Sequence, residues 1–326
     1  MSKLLEIENL HVHFPLPQGI VELLTRKPRR VVKAVNGVSF QLGKGQTLGL
    51  VGESGCGKTT LSRAMLGLVD VAAGHVRFDG DDVFSQNRTA RLALRRRAQM
   101  VFQDPYASLN PKMSVGSTLA EVLKFHRICL SREVPARVAE LMEMVGLPRE
   151  LTVSKPNELS GGQCQRVGVA RALAVNPELL VADESVSALD VSIQAQILNL
   201  FLNLQQEMGL TMVFIAHDLG VVWQLCQTIA VMYLGRIVEI GASSEVFHNP
   251  RHPYTQALIR AIPQMHAQAS VNTDLLSGEP PSPLDIPSGC AFHPRCLRVM
   301  ANCRSGAAPE SVNMGAVQVA CHLYDK

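Results

Sequence analysis

The sequence lacks a long uninterrupted apolar run. Its most apolar stretch, residues 221–238, is broken by polar residues that include Gln224, Gln227 and Arg236, whereas a membrane-spanning helix needs about 20 consecutive apolar residues. We therefore expect that the chain does not itself span a membrane. The N-terminal stretch MSKLLEIENLHVHF contains acidic residues and has the pattern of a strand. It lacks the basic-then-apolar order of a secretory signal, so we expect no secretion.

The sequence also lacks a strong excess of charge of one sign. Its 31 Lys and Arg against 28 Asp and Glu give a formal net charge of +3. The densest basic run, Arg95-Arg96-Arg97, is short and lies in a segment with a helical pattern. Such a run is typical of a solvated helix face rather than of a nucleic-acid surface. We expect no nucleic-acid partner.

Short β-like runs alternate with helical patterns along the chain. Residues 47–51 precede a helical pattern over 59–68, and residues 179–182 precede another over 191–208. This alternation predicts an α/β fold with a parallel-rich sheet. Residues from about 105 to about 165 carry helical patterns and few strand signals. This stretch therefore predicts a helical subdomain. The apolar stripe of the helix over 191–208 consists of Ile193, Ile197, Leu200, Phe201, Leu204 and Met208.

The segment GESGCGKT matches the G-x-x-x-x-G-K-[ST] pattern between an apolar strand and a helix, which is the P-loop context. In this pattern backbone N–H groups surround phosphates, the helix N-terminus adds positive charge, Lys58 neutralises charge and the Thr59 hydroxyl reaches Mg²⁺. A chance glycine-rich turn is disfavoured by the flanking strand and helix. The predicted ATP-binding residues here are Gly52, Glu53, Ser54, Gly55, Cys56, Gly57, Lys58, Thr59 and Thr60.

Polar residues follow two further apolar strands. LLVADES ends in Asp183 and Glu184; the first carboxylate can hold Mg²⁺ and the second can polarise an attacking water. Taken alone, this pair could be a solvated strand end. IAHD places His217 after the apolar run LTMVFI. A lone histidine is usually structural, but at the same sheet edge as a P-loop it is a candidate sensor of the γ-phosphate.

Several motifs then occur in one order: the P-loop, VFQDP with Gln103, LSGGQCQR, ADES, SALD and AHD. With this order and spacing, about residues 4–248 resemble an ATP-binding-cassette (ABC) subunit. The resemblance implies a P-loop NTPase cassette with a RecA-like core, an antiparallel β subdomain and a helical subdomain. It also implies a head-to-tail dimer, in which one subunit's signature closes over ATP held by the other. The signature residues are Ser160, Gly161, Gly162 and Gln163.

The same resemblance implies further roles. Phe14 stacks on adenine, with an edge-strand aromatic packed on the core as the alternative, and Asp190 contributes to the dimer contact. Glu184 is the general base, and Gln103 links Mg²⁺ to the membrane partner. The catalytic set is therefore Glu184, His217 and Gln103, and the Mg²⁺ ligands are Thr59, Gln103 and Asp183.

Longer stretches, among them MVFQDPYASLNPKMSVG and NPRHPYTQALIRAIP, resemble the ATPase subunits of peptide importers, the dipeptide and oligopeptide permease group, and most nearly the F-type ATPase. This implies ATP hydrolysis that powers import of di- and oligopeptides. The implied partners are two membrane permease subunits, a paralogous ATPase forming a heterodimer, and, indirectly, an external solute-binding protein. The implied location is peripheral, at the cytoplasmic face of the inner membrane.

Two alternatives remain for this function. Importers of nickel or glutathione share the cassette type, and a soluble ABC ATPase outside transport is another class. The sequence departs from the family pattern at Ser185, where Pro is usual, at Cys164, where a basic residue usually follows LSGGQ, and at Phe14, where Tyr is common. None of these departures removes a charge or hydroxyl that hydrolysis requires.

The sequence pattern changes after Asn249, so we divide the chain into a cassette, 1–248, and a C-terminal extension, 249–326. The extension contains four of the eight cysteines in one small cysteine-rich module: Cys290, Cys296, Cys303 and Cys321. Their gaps are wider than the C-x₂₋₄-C knuckles of structural zinc, and wide loops suit a [4Fe–4S] cluster. Similar tails in the resembling ATPases are associated with such a cluster. Zinc, disulfides and unligated thiols are the alternatives.

Overall fold

The computed structural model describes residues 3–18, 29–85, 87–184, 190–262 and 278–325. The chain divides into two compact units. The first unit comprises Met1–Leu4, Leu42–Thr47 and Val83–Ile215. The second unit comprises Leu5–Gln41, Leu48–Asp82 and Ala216–Lys326.

Strands and helices alternate through much of the chain. The strands are β1 (Lys3–Pro15), β2 (Val31–Gly43), β3 (Thr47–Val51), β4 (Ala73–Phe78), β5 (Asp81–Asp82), β6 (Ala98–Val101), β7 (Leu179–Asp183), β8 (Thr211–Ala216), β9 (Thr228–Tyr233), β10 (Arg236–Ala242), β11 (Ser311–Asn313) and β12 (Val317–Ala320). The helices are α1 (Lys58–Met65), α2 (Arg88–Arg97), α3 (Val115–Phe125), α4 (Val134–Met144), α5 (Gly161–Leu173), α6 (Val191–Met208), α7 (Leu219–Leu225), α8 (Ser243–His248) and α9 (Pro253–Arg260).

A four-stranded sheet in the second unit has the order β2-β1-β4-β5. The β1–β4 and β4–β5 pairs are antiparallel. The register of β1 shifts between Glu8 and His11, where Asn9 adopts a positive φ of 44°. Such a bulge adds one residue to the strand and changes which residues share a face. Ile7 and Leu10 are therefore both buried although they lie three residues apart.

The remaining strands of the second unit have the order β11-β12-β10-β9-β3. β3 runs parallel to β9, while β9, β10, β12 and β11 pair antiparallel in turn. All five residues of β3 are buried, as is typical of parallel strands that are covered on both faces. The two strands that lie among the clustered cysteines thus extend this sheet through β10.

In the first unit, β6, β7 and β8 pair in parallel, which confirms the predicted parallel-rich α/β pattern. Residues 105–165 contain α3, α4 and the start of α5 with no strand, and the predicted division into a helical subdomain stays a prediction. Helix α6 has the predicted bounds, and Ile197, Phe201 and Leu204 of its apolar stripe are buried. Within the described ranges, no helix combines the length and apolar character needed to cross a membrane.

Gly49 of β3 marks a close approach between strand and helix. A Cβ placed on it would overlap Val222 of α7 and lie 3.4 Å from the Sγ of Cys226. We predict that Gly49→Ala lowers the free energy of unfolding by about 1–3 kcal/mol, since overpacking a filled interior forces its neighbours aside. Urea unfolding measures this.

The matched control is Gly168→Ala in α5. A Cβ there would have Ser108 Oγ at 3.9 Å as its nearest non-local neighbour, and alanine favours a helix interior over glycine by about 1 kcal/mol. This variant should be neutral or more stable than the parent chain. Equal unfolding midpoints for Gly49→Ala and the parent would contradict the prediction. They would show that the residues around β3 move aside without a loss of stability.

Candidate functional site

The predicted P-loop joins the end of β3 to the start of α1 in the second unit. Gly57 caps α1 with a φ of 107°, a left-handed conformation that side chains disfavour. A Cβ on Gly57 would also collide with the carbonyl oxygen of Ala34. Glycine is therefore required at this position both by backbone conformation and by the neighbouring strand β2.

A hairpin turn between β9 and β10 supports the loop from the other side. Leu234 and Gly235 both have positive φ, 42° and 80°, as in the type I′ turns that suit twisted hairpins. The Gly235 N–H donates to the carbonyl oxygen of Cys56 at 2.8 Å. The side chain of Cys56 is buried, and burial raises the pKa of its thiol although nearby Lys58 opposes the shift. Cys56 is thus an internal part of the loop.

Lys58 is 4 % exposed. Its ammonium donates to the Gly52 carbonyl at 2.7 Å and to the Glu53 carbonyl at 3.1 Å. Thr59 and Thr60 lie in the first turn of α1, partly exposed. The structure therefore brings the buried cation, the two hydroxyl side chains and a helix N-terminus together at one loop, an arrangement suited to anions.

Residues distant in sequence hold this loop. Glu53 donates its backbone N–H to the Tyr254 hydroxyl at 2.9 Å, and its carboxylate pairs with Arg295. Sequence patterns gave no indication of either contact, because the partners lie 201 and 242 residues away. The hydrogen bonds that the Arg295 guanidinium donates to Glu53, together with contributions from Tyr233, outweigh burial and raise the pKa of Arg295.

In the first unit the structure brings Gln103 and Glu184 together. The Gln103 amide nitrogen donates to the Glu184 carboxylate at 2.7 Å. Glu184 follows β7 directly and has a φ of 43°, an uncommon conformation for a residue with a side chain. Its N–H is fixed to the Ile215 carbonyl at 3.0 Å. Asp183, the preceding residue, is 4 % exposed.

The LSGGQ segment begins helix α5. The Ser160 hydroxyl accepts from the Gln163 N–H at 3.3 Å, and the Ser160 N–H donates to the Gln163 side-chain oxygen at 2.9 Å. This reciprocal capping box fixes the helix start. A Cβ on Gly162 would lie 2.5 Å from Cγ2 of Ile193 in α6, so the glycine permits close helix packing. Ser160 remains exposed at the N-terminus.

Three predicted residues lie apart from these contacts. Phe14 of β1 is 41 % exposed, which disfavours the alternative that it packs in the core. Asp190 is exposed, and its carbonyl accepts from the Gln194 N–H at 2.8 Å at the start of α6. His217 is exposed between β8 and α7. Their roles at a nucleotide remain predictions.

The departures from the family pattern have different outcomes. Cys164 is fully buried, and its Sγ donates to the Pro156 carbonyl at 3.4 Å. Burial raises the pKa of this thiol, against a hydrogen bond with Tyr106. The thiol therefore fills an internal position where a basic side chain would have to extend outward to reach water. Ser185 lies outside the described residues.

The clustered cysteines are all unpaired thiols. Cys290, Cys303 and Cys321 are buried and Cys296 is partly exposed. The pKa of Cys321 is raised to about 11, mainly by burial and further by the charges of the other three thiols. Among the residues that the structure describes, no three His, Cys, Asp or Glu side chains form a group that could hold a metal ion.

Comparisons with known proteins agree with this layout. The family described as ABC transporter matches residues 35–187, and the family described as oligopeptide/dipeptide transporter, C-terminal region, matches residues 238–303. The chain is 50% identical over 296 residues to the oligopeptide transport ATP-binding protein OppF of Escherichia coli (strain K12), covering 90% of this chain and 88% of that protein.

Two solved structures share the fold. One is cbiO1 from Clostridium perfringens, part of the ABC transporter complex cbiONQ, with a TM-score of 0.64 and 26% identity over 76% of this chain and 92% of that chain. The other is a dimeric ATP-binding cassette in a post-hydrolysis state, bound to ADP and Pi, with a TM-score of 0.64 and 26% identity over 73% of this chain and 98% of that chain.

His252 precedes helix α9 and contacts Tyr254, whose hydroxyl binds the P-loop at Glu53. Its Nδ1 accepts from the Tyr254 N–H at 3.0 Å, and it is 1% exposed. Burial lowers the pKa of His252 from 6.5 to about 3. Between these values the unfolded chain binds a proton that the folded chain does not, so stability present above pH 6.5 is lost as the pH falls.

We predict that the parent chain loses about 1.4 kcal/mol more unfolding free energy than His252→Asn between about pH 7.5 and about pH 5.5. Asparagine keeps a helix-capping acceptor and does not titrate. Burial raises the pKa of neighbouring Glu239, which acts in the opposite direction in both proteins and cancels in the comparison. Urea unfolding at both pH values measures the difference, and exposed His75→Asn is the control. Parallel pH dependences for the parent and His252→Asn would contradict the prediction.

Proposed function

The chain belongs to the ABC transporter ATP-binding family, and we propose that it is the ATP-hydrolysing subunit of a membrane importer of di- and oligopeptides. The peptide substrate is supported by the likeness to OppF, which covers 90% of the chain. It is supported further by the oligopeptide/dipeptide C-terminal region at residues 238–303. The observation that carries ATP hydrolysis is the contact between Gln103 and Glu184 at the end of β7.

In the second unit, the P-loop is proposed to bind the ATP phosphates. Its backbone N–H groups and the N-terminus of α1 face an anion, and Lys58 exchanges its carbonyl partners for phosphate oxygens. Thr59 supplies a hydroxyl ligand for Mg²⁺, a cation that prefers oxygen ligands. Phe14 stacks on adenine, as its exposure allows, and His217 contacts the γ-phosphate.

In the first unit, Asp183 and Gln103 are proposed as oxygen ligands of Mg²⁺, which neutralises charge on the phosphates. Glu184 accepts the proton of the attacking water. The Gln103 amide orients this carboxylate, and the bond from the Glu184 N–H to Ile215 fixes its backbone. A carboxylate held from two sides is suited to act as a general base because its orientation is set before the reaction.

The signature at the start of α5 is proposed to close on ATP bound by a second, paralogous cassette. Its capping box leaves Ser160 exposed at a helix N-terminus, which favours an anion. Asp190 is proposed to contribute to the same dimer contact. The dimeric cassette that shares the fold supports this arrangement.

Two membrane permease subunits are proposed to dock near residues 103–111, with an external solute-binding protein acting through them. The side chains of Phe102 and Tyr106 are 40% and 47% exposed at this place. Large exposed apolar side chains are typical of interaction surfaces. The chain would then sit peripherally at the cytoplasmic face of the inner membrane.

The C-terminal extension is proposed to hold a [4Fe–4S] cluster through Cys290, Cys296, Cys303 and Cys321. The proposal rests on four unpaired thiols in one short segment, three of them buried, because cysteine thiolates are the ligands that hold such clusters. Among the described residues the four side chains are not gathered into a metal-binding group. The cluster would supply a structural cross-link for a segment whose two strands have only three and four residues. A tetrathiolate zinc site is the alternative.

Glu184→Gln tests the proposed catalysis. We expect ATP binding to persist and turnover of the reconstituted transporter to fall by about 10²- to 10⁴-fold, the contribution of a positioned base. Peptide uptake into proteoliposomes should fall in parallel. The control is Glu207→Gln on the exposed side of α6. Hydrolysis within about threefold of the parent would exclude Glu184 as the base, and full ATPase activity that no peptide stimulates would exclude peptide import.

Iron analysis of anaerobically purified protein tests the cluster. We expect about four irons per chain and broad absorption near roughly 400 nm from thiolate-to-iron charge transfer. Cys296→Ser should lose iron, whereas the control Cys129→Ser, a cysteine outside the extension, should retain it. One equivalent of zinc without iron would establish the zinc alternative, and four freely alkylatable thiols would exclude both metals.

A further inference from the structure

Arg295 is a buried cation whose partner belongs to the P-loop. Its Nη1 donates to Oε2 of Glu53 at 2.7 Å and its Nη2 donates to Oε1 at 2.9 Å. The Arg295 side chain is 5% exposed and that of Glu53 is 25% exposed. Two parallel charge-assisted bonds are strong and fix the orientation of both groups. The pair therefore sets where the carboxylate of Glu53 lies.

Glu53 transmits this constraint to the rest of the loop. Its N–H is bound to the Tyr254 hydroxyl at 2.9 Å. Its carbonyl accepts from the Lys58 ammonium at 3.1 Å and from the Cys56 N–H at 3.3 Å. The residue that Arg295 holds by its side chain thus holds the phosphate-binding lysine by its backbone.

Arg295 is itself positioned by the cysteine segment, defined here as residues 290–303. A 3₁₀ turn, His293–Arg295, lies between Cys290 and Cys296. The His293 N–H donates to the Cys290 carbonyl at 2.9 Å, and the Cys290 N–H donates to the Cys303 carbonyl at 3.0 Å. The position of Arg295 therefore depends on the backbone fold of this segment.

Aromatic rings fill the space between the cysteine segment and the loop. The Phe292 ring lies 5.2 Å from that of Tyr233 and 5.4 Å from that of Tyr254. All three rings are buried, and aromatic pairs at such distances stabilise one another beyond simple burial. Arg295 is the buried partner of the pair, 5% exposed against 25% for Glu53, so loss of the Glu53 carboxylate would leave a buried cation without its partner, which is costly.

We propose that Arg295 is a positioning residue for ATP binding: through Glu53 it keeps the P-loop in its phosphate-binding conformation, so that nucleotide affinity depends on the folding of the cysteine segment. If Arg295 served only to attach the C-terminal extension to the cassette, its partner would not need to be a carboxylate of the P-loop. The inference rests on the proposed role of the P-loop, and it assigns to the extension a part in the ATP site.

The test compares Arg295→Gln with Arg304→Gln in the assembled transporter. Arg304 is an exposed arginine of the same extension. We expect Arg295→Gln to raise the KM for ATP by about tenfold, which the loss of one charge-assisted pair can supply. Its kcat should stay within about twofold of the parent, since Gln103 and Glu184 are intact. Arg304→Gln should change neither quantity.

A double-mutant cycle tests whether Arg295 acts on ATP binding through Glu53. Glu53→Gln should raise the KM to a similar extent, and the double variant should be no worse than either single variant, because both changes remove one interaction. Arg295→Lys keeps the charge but not the planar fork, so it should give an intermediate KM. Additive effects of Arg295→Gln and Glu53→Gln would show that Arg295 does not act through Glu53.

Three measurements on each full-length variant separate the outcomes. They are the binding of a fluorescent ATP analogue, thermal unfolding and iron content. A lowered Tm with unchanged nucleotide affinity in Arg295→Gln would reduce Arg295 to a structural tether and overturn the inference. If Arg295→Gln does not fold, Arg295→Lys carries the same comparison. Lys58→Ala tests the underlying proposal separately: unchanged analogue binding there would contradict the P-loop assignment itself.

Discussion

The conformation of the loop between β3 and α1 is the constraint on which the nucleotide site depends. Backbone N–H groups that a loop turns toward an anion are lost to its internal hydrogen bonding, so the loop needs further contacts to fix its conformation. Gly57 fits against Ala34, the Cys56 carbonyl is bound by Gly235, and the Lys58 ammonium is bound by loop carbonyls. The contacts with Ala34 and Gly235 come from strand β2 and from the turn between β9 and β10, whereas the Lys58 contacts lie within the loop. The loop conformation therefore depends on both distant and local contacts.

The Gln103–Glu184 pair of the first unit, which we propose to be catalytic, is likewise held by its neighbours. A left-handed backbone at a residue such as Glu184 costs of order 1–3 kcal/mol and persists only where its surroundings enforce it. Here the Ile215 carbonyl fixes the backbone and the Gln103 amide fixes the carboxylate. The burial of β7 provides the rigid base, since all five of its residues are buried.

The C-terminal extension is joined to the cassette by more than its linker. Its strands β11 and β12 continue a sheet through β10, and Arg295 reaches the P-loop from between two cysteines. A short segment with little core of its own gains stability from such contacts and from any cross-link among its thiols. The stability of the extension and the order of the P-loop are therefore physically connected.

The sequence by itself determined the α/β pattern, helix α6 with its buried stripe, and the P-loop. These depend on local periodicity and on residue types at fixed spacing, which physical chemistry links directly to backbone conformation. Only the tertiary structure decided that Cys164 is internal, that the β1 bulge places Asn9 at a positive φ, and that Tyr254 and Arg295 hold Glu53. Such contacts join residues up to 242 positions apart, and no local pattern specifies a partner at that distance, because the fold of the intervening chain brings the two together.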